Sequence, residues 1–222
     1  MSSPDSVPLP HDRISLKESR QYLHTLLESA QRRRSVRDFS SEPVPRDIID
    51  GCLNIADTAP NGANQQPWNF VAVQAPAIKS AIRSATEEEE HTFYQYRALA
   101  ELLQALAPLG TDAQKPFLET VPWLIAIFAE SHSVNDTGDK RTHYYVRESV
   151  GIATVMLIQA VHLIGLASLT YTLNPMKFLN EILDRPTNEK PFLLLVVGYP
   201  AEGARLPKIS KKSLDKTSTF LG

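Results

Sequence analysis

Between Val150 and Ile164 the chain is apolar at almost every position, so the helix expected there is hydrophobic nearly all round. Such a helix is either the core helix of the fold or part of a subunit interface. Two other stretches make the same demand for burial. Val121 to Ala129 (Val-Pro-Trp-Leu-Ile-Ala-Ile-Phe-Ala) and Pro191 to Pro200 (Pro-Phe-Leu-Leu-Leu-Val-Val-Gly-Tyr-Pro) read as buried strands. A chain of 222 residues, 42% hydrophobic and 22% charged, can enclose them in a single core, and no second domain is required.

Several function classes are disfavoured. A net charge of -2 with 8% aromatic residues gives no footprint for a nucleic acid. Met1 to Arg13 carries three prolines and no apolar run, so neither a signal peptide nor a membrane segment is expected, and a soluble, cytoplasmic protein is. The single cysteine, Cys52, lies in an apolar helical pattern and reads as a small buried hydrophobe. The six histidines form no ligand-spaced cluster, so no metal is expected, and His162 reads as a satisfied interior residue. The glycine-rich dinucleotide and phosphate-loop patterns are absent, which disfavours a Rossmann fold.

In chain order, apolar spacing predicts a helix over Ser15 to Arg34 and a second from Asp47, with Ile48, Ile49, Cys52, Leu53 and Ala56 on one face, ended by Thr58-Ala59-Pro60. Arg32-Arg33-Arg34-Ser35-Val36-Arg37 sets four arginines and a hydroxyl within six positions, a dense donor set for a small anion such as the phosphate of a cofactor. By charge pattern alone it also reads as a solvated basic patch. Thr58 to Trp68 is an irregular loop rich in amides, suited to a planar heterocycle or an oxyanion, or else an ordinary connection to a strand at Asn69 to Gln74.

A helix is expected over Pro76 to Arg97, carrying Glu87-Glu88-Glu89-Glu90. The run reads as a solvated face, but Glu90 and Tyr94 share one side of the helix. With Lys115, beyond a break at Pro108-Leu109-Gly110, they could clamp an α-amino-acid zwitterion, Glu90 on the ammonium and Lys115 on the carboxylate. Ser131 to Gly138 reads as a polar loop, Ala167 to Thr172 as a short strand, Met176 to Leu183 as a short helix, and the basic tail from Ala201 as a segment that wraps a partner subunit.

Arg33-Arg34-Ser35-Val36-Arg37, Thr58-Ala59-Pro60-Asn61-Gly62-Ala63, Pro67-Trp68 and Val197-Gly198-Tyr199-Pro200 resemble motifs of the nitroreductase superfamily. The acidic run ending in Glu90, then Tyr94, Lys115 before Phe117-Leu118-Glu119-Thr120-Val121-Pro122, and His143-Tyr144-Tyr145 are similar to its iodotyrosine deiodinase family. The likeness runs from about Gln31 to Asp215. It implies an α+β fold with a central mixed or antiparallel sheet flanked by helices, an intertwined homodimer with FMN at the interface, a flexible N-terminus over 1–14, one domain over 15–222, a lid at about 87–115 and a partner-wrapping tail from about 201.

The resemblance also implies roles. Arg33, Arg34, Ser35 and Arg37 would hold the FMN phosphate and ribityl end with Lys211 or Lys212. Pro60, Asn61, Gly62, Thr170 and Thr172 would contact the flavin, Thr172 through a hydroxyl on N5. The Ala63 N–H would face the substrate phenolate, with Glu90, Tyr94 and Lys115 as the clamp. The implied activity is reductive dehalogenation of 3-halotyrosine by stepwise one-electron transfer from FMN, with reducing equivalents from NAD(P)H directly or through a reductase. Its rivals are a generic FMN nitroreductase or quinone reductase, a flavin-destroying relative, and a non-catalytic halotyrosine-binding flavoprotein.

Overall fold

A computed structural model describes residues 6–106, 108, 110–135 and 137–222. The first five residues of the expected flexible N-terminus, Ala107 and Leu109 of the expected lid and Asp136 of the expected polar loop lie outside these residues.

The chain forms two compact units, one ending at Arg33 and one running from Arg34 to Gly222. The first carries helix α1 (Leu16–Arg32), opened by a capping box in which Ser15 Oγ accepts the Glu18 N–H and the Glu18 carboxylate accepts the Ser15 N–H at 2.9 Å. The helix stops short of the expected Arg34, because Arg33 is already extended.

The second unit is built on a four-stranded sheet of order β1 (Trp68–Val73), β2 (Trp123–Glu130), β6 (Glu189–Gly198), β5 (Ala167–Tyr171), antiparallel throughout. Of the expected alternatives, mixed or antiparallel, the antiparallel one is found. A single parallel bridge, Ser35 to Ser168, lays the segment after Arg34 alongside β5.

The two apolar stretches are the central strands, buried on both faces. Because side chains alternate across a strand, each feeds two cores. Ile125, Ile127, Leu195 and Val197 pack with Cys52 and Ala56 of α2 (Arg46–Asp57) and with Val150, Ala153 and Leu157 of α6 (Val146–Leu163). Leu124, Ala126, Phe128, Leu194 and Val196 face Ile82 of α3 (Pro76–Thr92), Leu118 of α5 (Phe117–Thr120) and Leu179 of α7 (Phe178–Ile182). The β2–β6 register slips between Ile127, opposite Leu193, and Phe128, opposite Pro191, so Phe192 is skipped. Pro191 has no N–H to give the ladder, which is why the irregularity falls there.

Three expectations are corrected. The helix from Pro76 leaves α geometry at Phe93 and finishes as a wider π turn through Arg97, closed by the Ala98 N–H on the Phe93 carbonyl. The expected polar loop after Ser131 contains a hairpin, β3 (His132–Val134) with β4 (Lys140–Thr142), whose turn is organised by Asn135 Oδ1 accepting the Thr137 and Asp139 N–H groups. Ile48 of the expected α2 face is exposed, leaving Ile49, Cys52 and Ala56 as the buried set.

Helix α6 begins at Val146, after Tyr145 in the left-handed region at φ 51°. One face is core, while Ile152, Val155 and Leu163 on the other are exposed. Among the described residues it is the one helix long and apolar enough to cross a membrane, and here it covers a sheet. Helix α4 (Ala100–Leu106) follows the π turn.

Candidate active site

The last turn of α3, the segment leading into α5 and the end of β5 enclose a cavity of about 440 Å³. Glu90, Tyr94 and Lys115 all line it, together with Thr170, Thr172 and Arg37. Residues far apart in sequence are thus brought to one space.

Glu90 and Lys115 are almost fully buried, at 7% and 2% exposure, and their charges lie 3.4 Å apart. A buried ion pair holds only where further hydrogen bonds satisfy both partners. Here the Tyr171 hydroxyl donates to Glu90 Oε1, and the Lys115 ammonium also donates to the Asp112 carbonyl and lies 6.0 Å from the centre of the Tyr171 ring. The Tyr94 hydroxyl donates to the Thr111 carbonyl at 3.4 Å. Burial lifts the Tyr94 phenol above its ordinary pKa, although the Thr111 contact pulls the other way. Burial, then the Glu90 carboxylate, push the Tyr171 phenol far up, so it is a donor throughout the neutral range.

The four glutamates therefore divide. Glu88 is solvated, as a charge run predicts. Glu89 pairs with Arg97 at 2.7 Å, Glu87 pairs with Arg83 at 2.8 Å and accepts the Lys115 N–H at 2.6 Å, and Glu90 turns inward.

Arg37 also borders an adjoining cavity of about 270 Å³, shared with Ser35, Arg205 and Pro207. Ser35, Arg37 and Arg205 are donors suited to a phosphate, with one carboxylate, Asp38, beside them. Arg34 donates to the Pro207 carbonyl and so ties the tail segment to this region. Arg33 belongs to the other unit. Lys211 and Lys212 are exposed, and neither is among the described residues lining these two cavities.

The loop after α2 is a separate construction. Ala63, Asn64 and Gln66 have φ of 51°, 52° and 48°, three left-handed non-glycine residues within four positions. Strain of this kind persists only where surrounding contacts hold it, and it gathers at functional sites. The contacts are visible: Asn61 Oδ1 accepts the Gln66 N–H at 2.8 Å, and Gln65 joins the Thr142 carbonyl to the Tyr144 N–H. The Gly62 N–H reaches Ser149 Oγ at 3.5 Å, and a Cβ on Gly62 would lie 2.9 Å from the Tyr144 carbonyl oxygen. The Asn61 and Gln65 amides thus brace the loop, and the exposed tip offers Pro60 and the Ala63 backbone. None of Pro60, Asn61, Gly62 or Ala63 is among the described lining of the cavity around Glu90.

Sequence reasoning missed Tyr171, Glu87, Asp112 and Arg205. Only Tyr171 left a signal: alternation along the strand puts it on the face opposite Thr170 and Thr172.

This chain belongs to the nitroreductase family, which it matches over residues 30–199. Within that class it is similar to the iodotyrosine deiodinase of Haliscomenobacter hydrossis, 49% identical over 189 residues, 85% of this chain and 84% of that protein. It is also similar to iodotyrosine deiodinase 1 of Homo sapiens, 39% identical over 213 residues, 96% of this chain and 74% of that protein. In structure it is similar to an oxidized iodotyrosine deiodinase crystallised with FMN and 3-iodo-L-tyrosine, with a TM-score of 0.76 and 29% identity over 88% of this chain and 100% of that one. The family and the α+β fold expected from the motifs are those found.

Proposed function

We propose that the chain is an FMN-dependent reductive dehalogenase that removes iodide, and also bromide or chloride, from 3-halotyrosines to give tyrosine. The observation that carries this reading is the buried Glu90–Lys115 pair facing a cavity bordered by Thr172. Its setting is the set of relatives named for the same reaction.

The donor set fits FMN. Ser35, Arg34 and Arg37 would hold the phosphate and ribityl end, joined by Arg205 and, from the expected set, by Lys211 or Lys212. Thr170 and Thr172 would face the flavin ring, with the Thr172 hydroxyl offered to N5. When bound, FMN supplies two electrons in single steps, drawn from NAD(P)H directly or through a reductase.

The chain's own residues do the recognition. Glu90 exchanges part of its contact with Lys115 for the substrate ammonium, and Lys115 takes the carboxylate. Tyr94 closes over the bound amino acid from the π turn that follows α3. The Ala63 N–H favours the phenolate of the halotyrosine ring. Glu90, Tyr94 and Lys115, drawn onto the bound amino acid, exclude water from the carbon–halogen bond. The balance is one halotyrosine, two electrons and one proton giving tyrosine and one halide ion.

The same reading includes a homodimer working in the cytoplasm. Two observations support the dimer: an apolar face of α6 (Ile152, Val155, Leu163) and tail residues such as Leu206 and Ile209 stand exposed, and Pro60 to Ala63 are not among the described lining of the cavity that Thr172 borders. A partner's loop completing each site satisfies both.

The clamp is tested by following flavin fluorescence as 3-iodotyrosine is added to the FMN-loaded protein and to its Lys115→Ala variant. The variant is expected to keep FMN and lose affinity for 3-iodotyrosine by at least about tenfold, the scale of one lost charge-assisted hydrogen bond. Unchanged affinity would remove Lys115 from the clamp.

A further inference from the structure

Tyr171 is a buried titratable side chain that the roles above leave unused. It sits at the last position of β5, paired through its backbone with Leu194 of β6, so the central sheet fixes where its ring lies. It is 9% exposed and touches both charged residues of the clamp: its hydroxyl donates to Glu90 Oε1, and Lys115 Nζ lies 6.0 Å from its ring centre. The next residue along the strand is Thr172.

We propose that Tyr171 is the positioning residue of the amino-acid clamp, holding one oxygen of Glu90 so that the other is presented to the substrate ammonium, and carrying the Lys115 ammonium over its ring. The inference rests on the halotyrosine reading above and names what sets selectivity within it.

A buried carboxylate needs several donors, and if Lys115 were its only one, a substrate carboxylate that drew Lys115 away would leave Glu90 with the substrate ammonium alone and its second oxygen unpaired. A neutral donor fixed on the sheet removes that difficulty. It keeps Glu90 solvated while Lys115 changes partners, and it does not compete for charge with the incoming ammonium. The Lys115 contact is the weaker of the two, since 6.0 Å is the outer reach of an ammonium over an aromatic face.

A hydroxyl acting through Glu90 matters only to ligands that have an ammonium. Tyr171→Phe keeps the ring and its packing and deletes the donor. In the FMN-loaded variant, the Kd of 3-iodotyrosine, read from flavin fluorescence, is expected to rise about tenfold or more, while that of 2-iodophenol, which has neither ammonium nor carboxylate, stays as in the wild type. Turnover of 3-iodotyrosine is expected to show the loss mainly in KM. In a Glu90→Gln background the same substitution is expected to add little, because the two residues act as one unit. Tyr171→Met fills similar space without either contact and gives the same ratio of the two ligands if the phenylalanine variant does not fold.

Wild-type binding of 3-iodotyrosine with no change in Tyr171→Phe would overturn the inference alone. Equal weakening of both ligands would make Tyr171 a packing residue and overturn it too. Failure of the wild type to bind 3-iodotyrosine would instead bring down the halotyrosine reading on which the inference stands.

Discussion

The carboxylate of Glu87 accepts the backbone N–H of Lys115 at 2.6 Å across 28 positions of sequence, while Glu90, one turn further along α3, meets the Lys115 ammonium. One helix thus holds the lysine twice, by its main chain and by its charge. Glu87 is itself fixed by Arg83, which bridges to Glu119 at 2.8 Å, so the segment entering α5 is tied back to α3 at both ends.

The Glu87 anchor titrates. Burial alone would raise its carboxyl pKa, but the Lys115 N–H and the Arg83 guanidinium outweigh burial and hold it below the usual value. For a depressed carboxyl, the stabilisation is present above the unfolded pKa of about 4.3 and is lost as pH falls through the folded value. Amide exchange at Lys115 is expected to be slow at pH 7 and to lose protection on acidification below about pH 4. Glu87→Ala should remove the protection at every pH and weaken 3-iodotyrosine binding about fivefold, near 1 kcal/mol. Protection indifferent to this substitution would show that Lys115 is held by something else.

Tyr171 makes the opposite forecast at high pH. Burial and the Glu90 carboxylate favour its neutral form in the folded chain, so the unfolded chain releases this proton first. The resulting stability is present below about pH 10 and is lost progressively as pH rises above it. Melting temperature measured from pH 8 to 11 should therefore fall more steeply for the wild type than for Tyr171→Phe. Parallel curves would mean that the hydroxyl is not held by Glu90 in solution.

Gly198 ends the central strand β6 where a Cβ would lie 2.7 Å from Pro122 Cδ and 3.0 Å from Val121 Cγ2. The motif Val197-Gly198-Tyr199-Pro200 thus has a packing cause. Gly198→Ala is expected to cost about 1–3 kcal/mol by overpacking and to lower the melting temperature by several degrees. Thermal unfolding followed by circular dichroism checks it, and an unchanged midpoint would mean that Pro122 can move aside.

What was legible in the sequence was what depends on local pattern. The runs at Val121 to Ala129 and Pro191 to Pro200 announced two buried strands, and Val150 to Ile164 announced a helix apolar nearly all round, of which one face is core and the other stands exposed. The clamp was legible as chemistry but not as geometry. Spacing sets Glu90 on the side of Tyr94 and apart from Glu88, but not which side of α3 is buried, which Tyr171 of β5 decides by donating to Glu90. Tyr171 owes its place to strand pairing, and the slip at Pro191 exists only because β2 lies opposite. The hairpin at His132 to Thr142 has strands too short for an alternation to register. In the loop from Pro60 to Gln66 the amides read as ligand contacts, and the structure adds that Asn61 and Gln65 brace the strained backbone, a use that needs Thr142 and Tyr144 nearby.

The most direct measurement is anaerobic turnover. The FMN-loaded protein, reduced chemically and mixed with 3-iodotyrosine in the absence of oxygen, is assayed for tyrosine and iodide. Both are expected in equal amounts, one of each per two electrons delivered. Reoxidation by nitroaromatics or quinones with 3-iodotyrosine recovered intact would contradict it and make the chain a general FMN reductase.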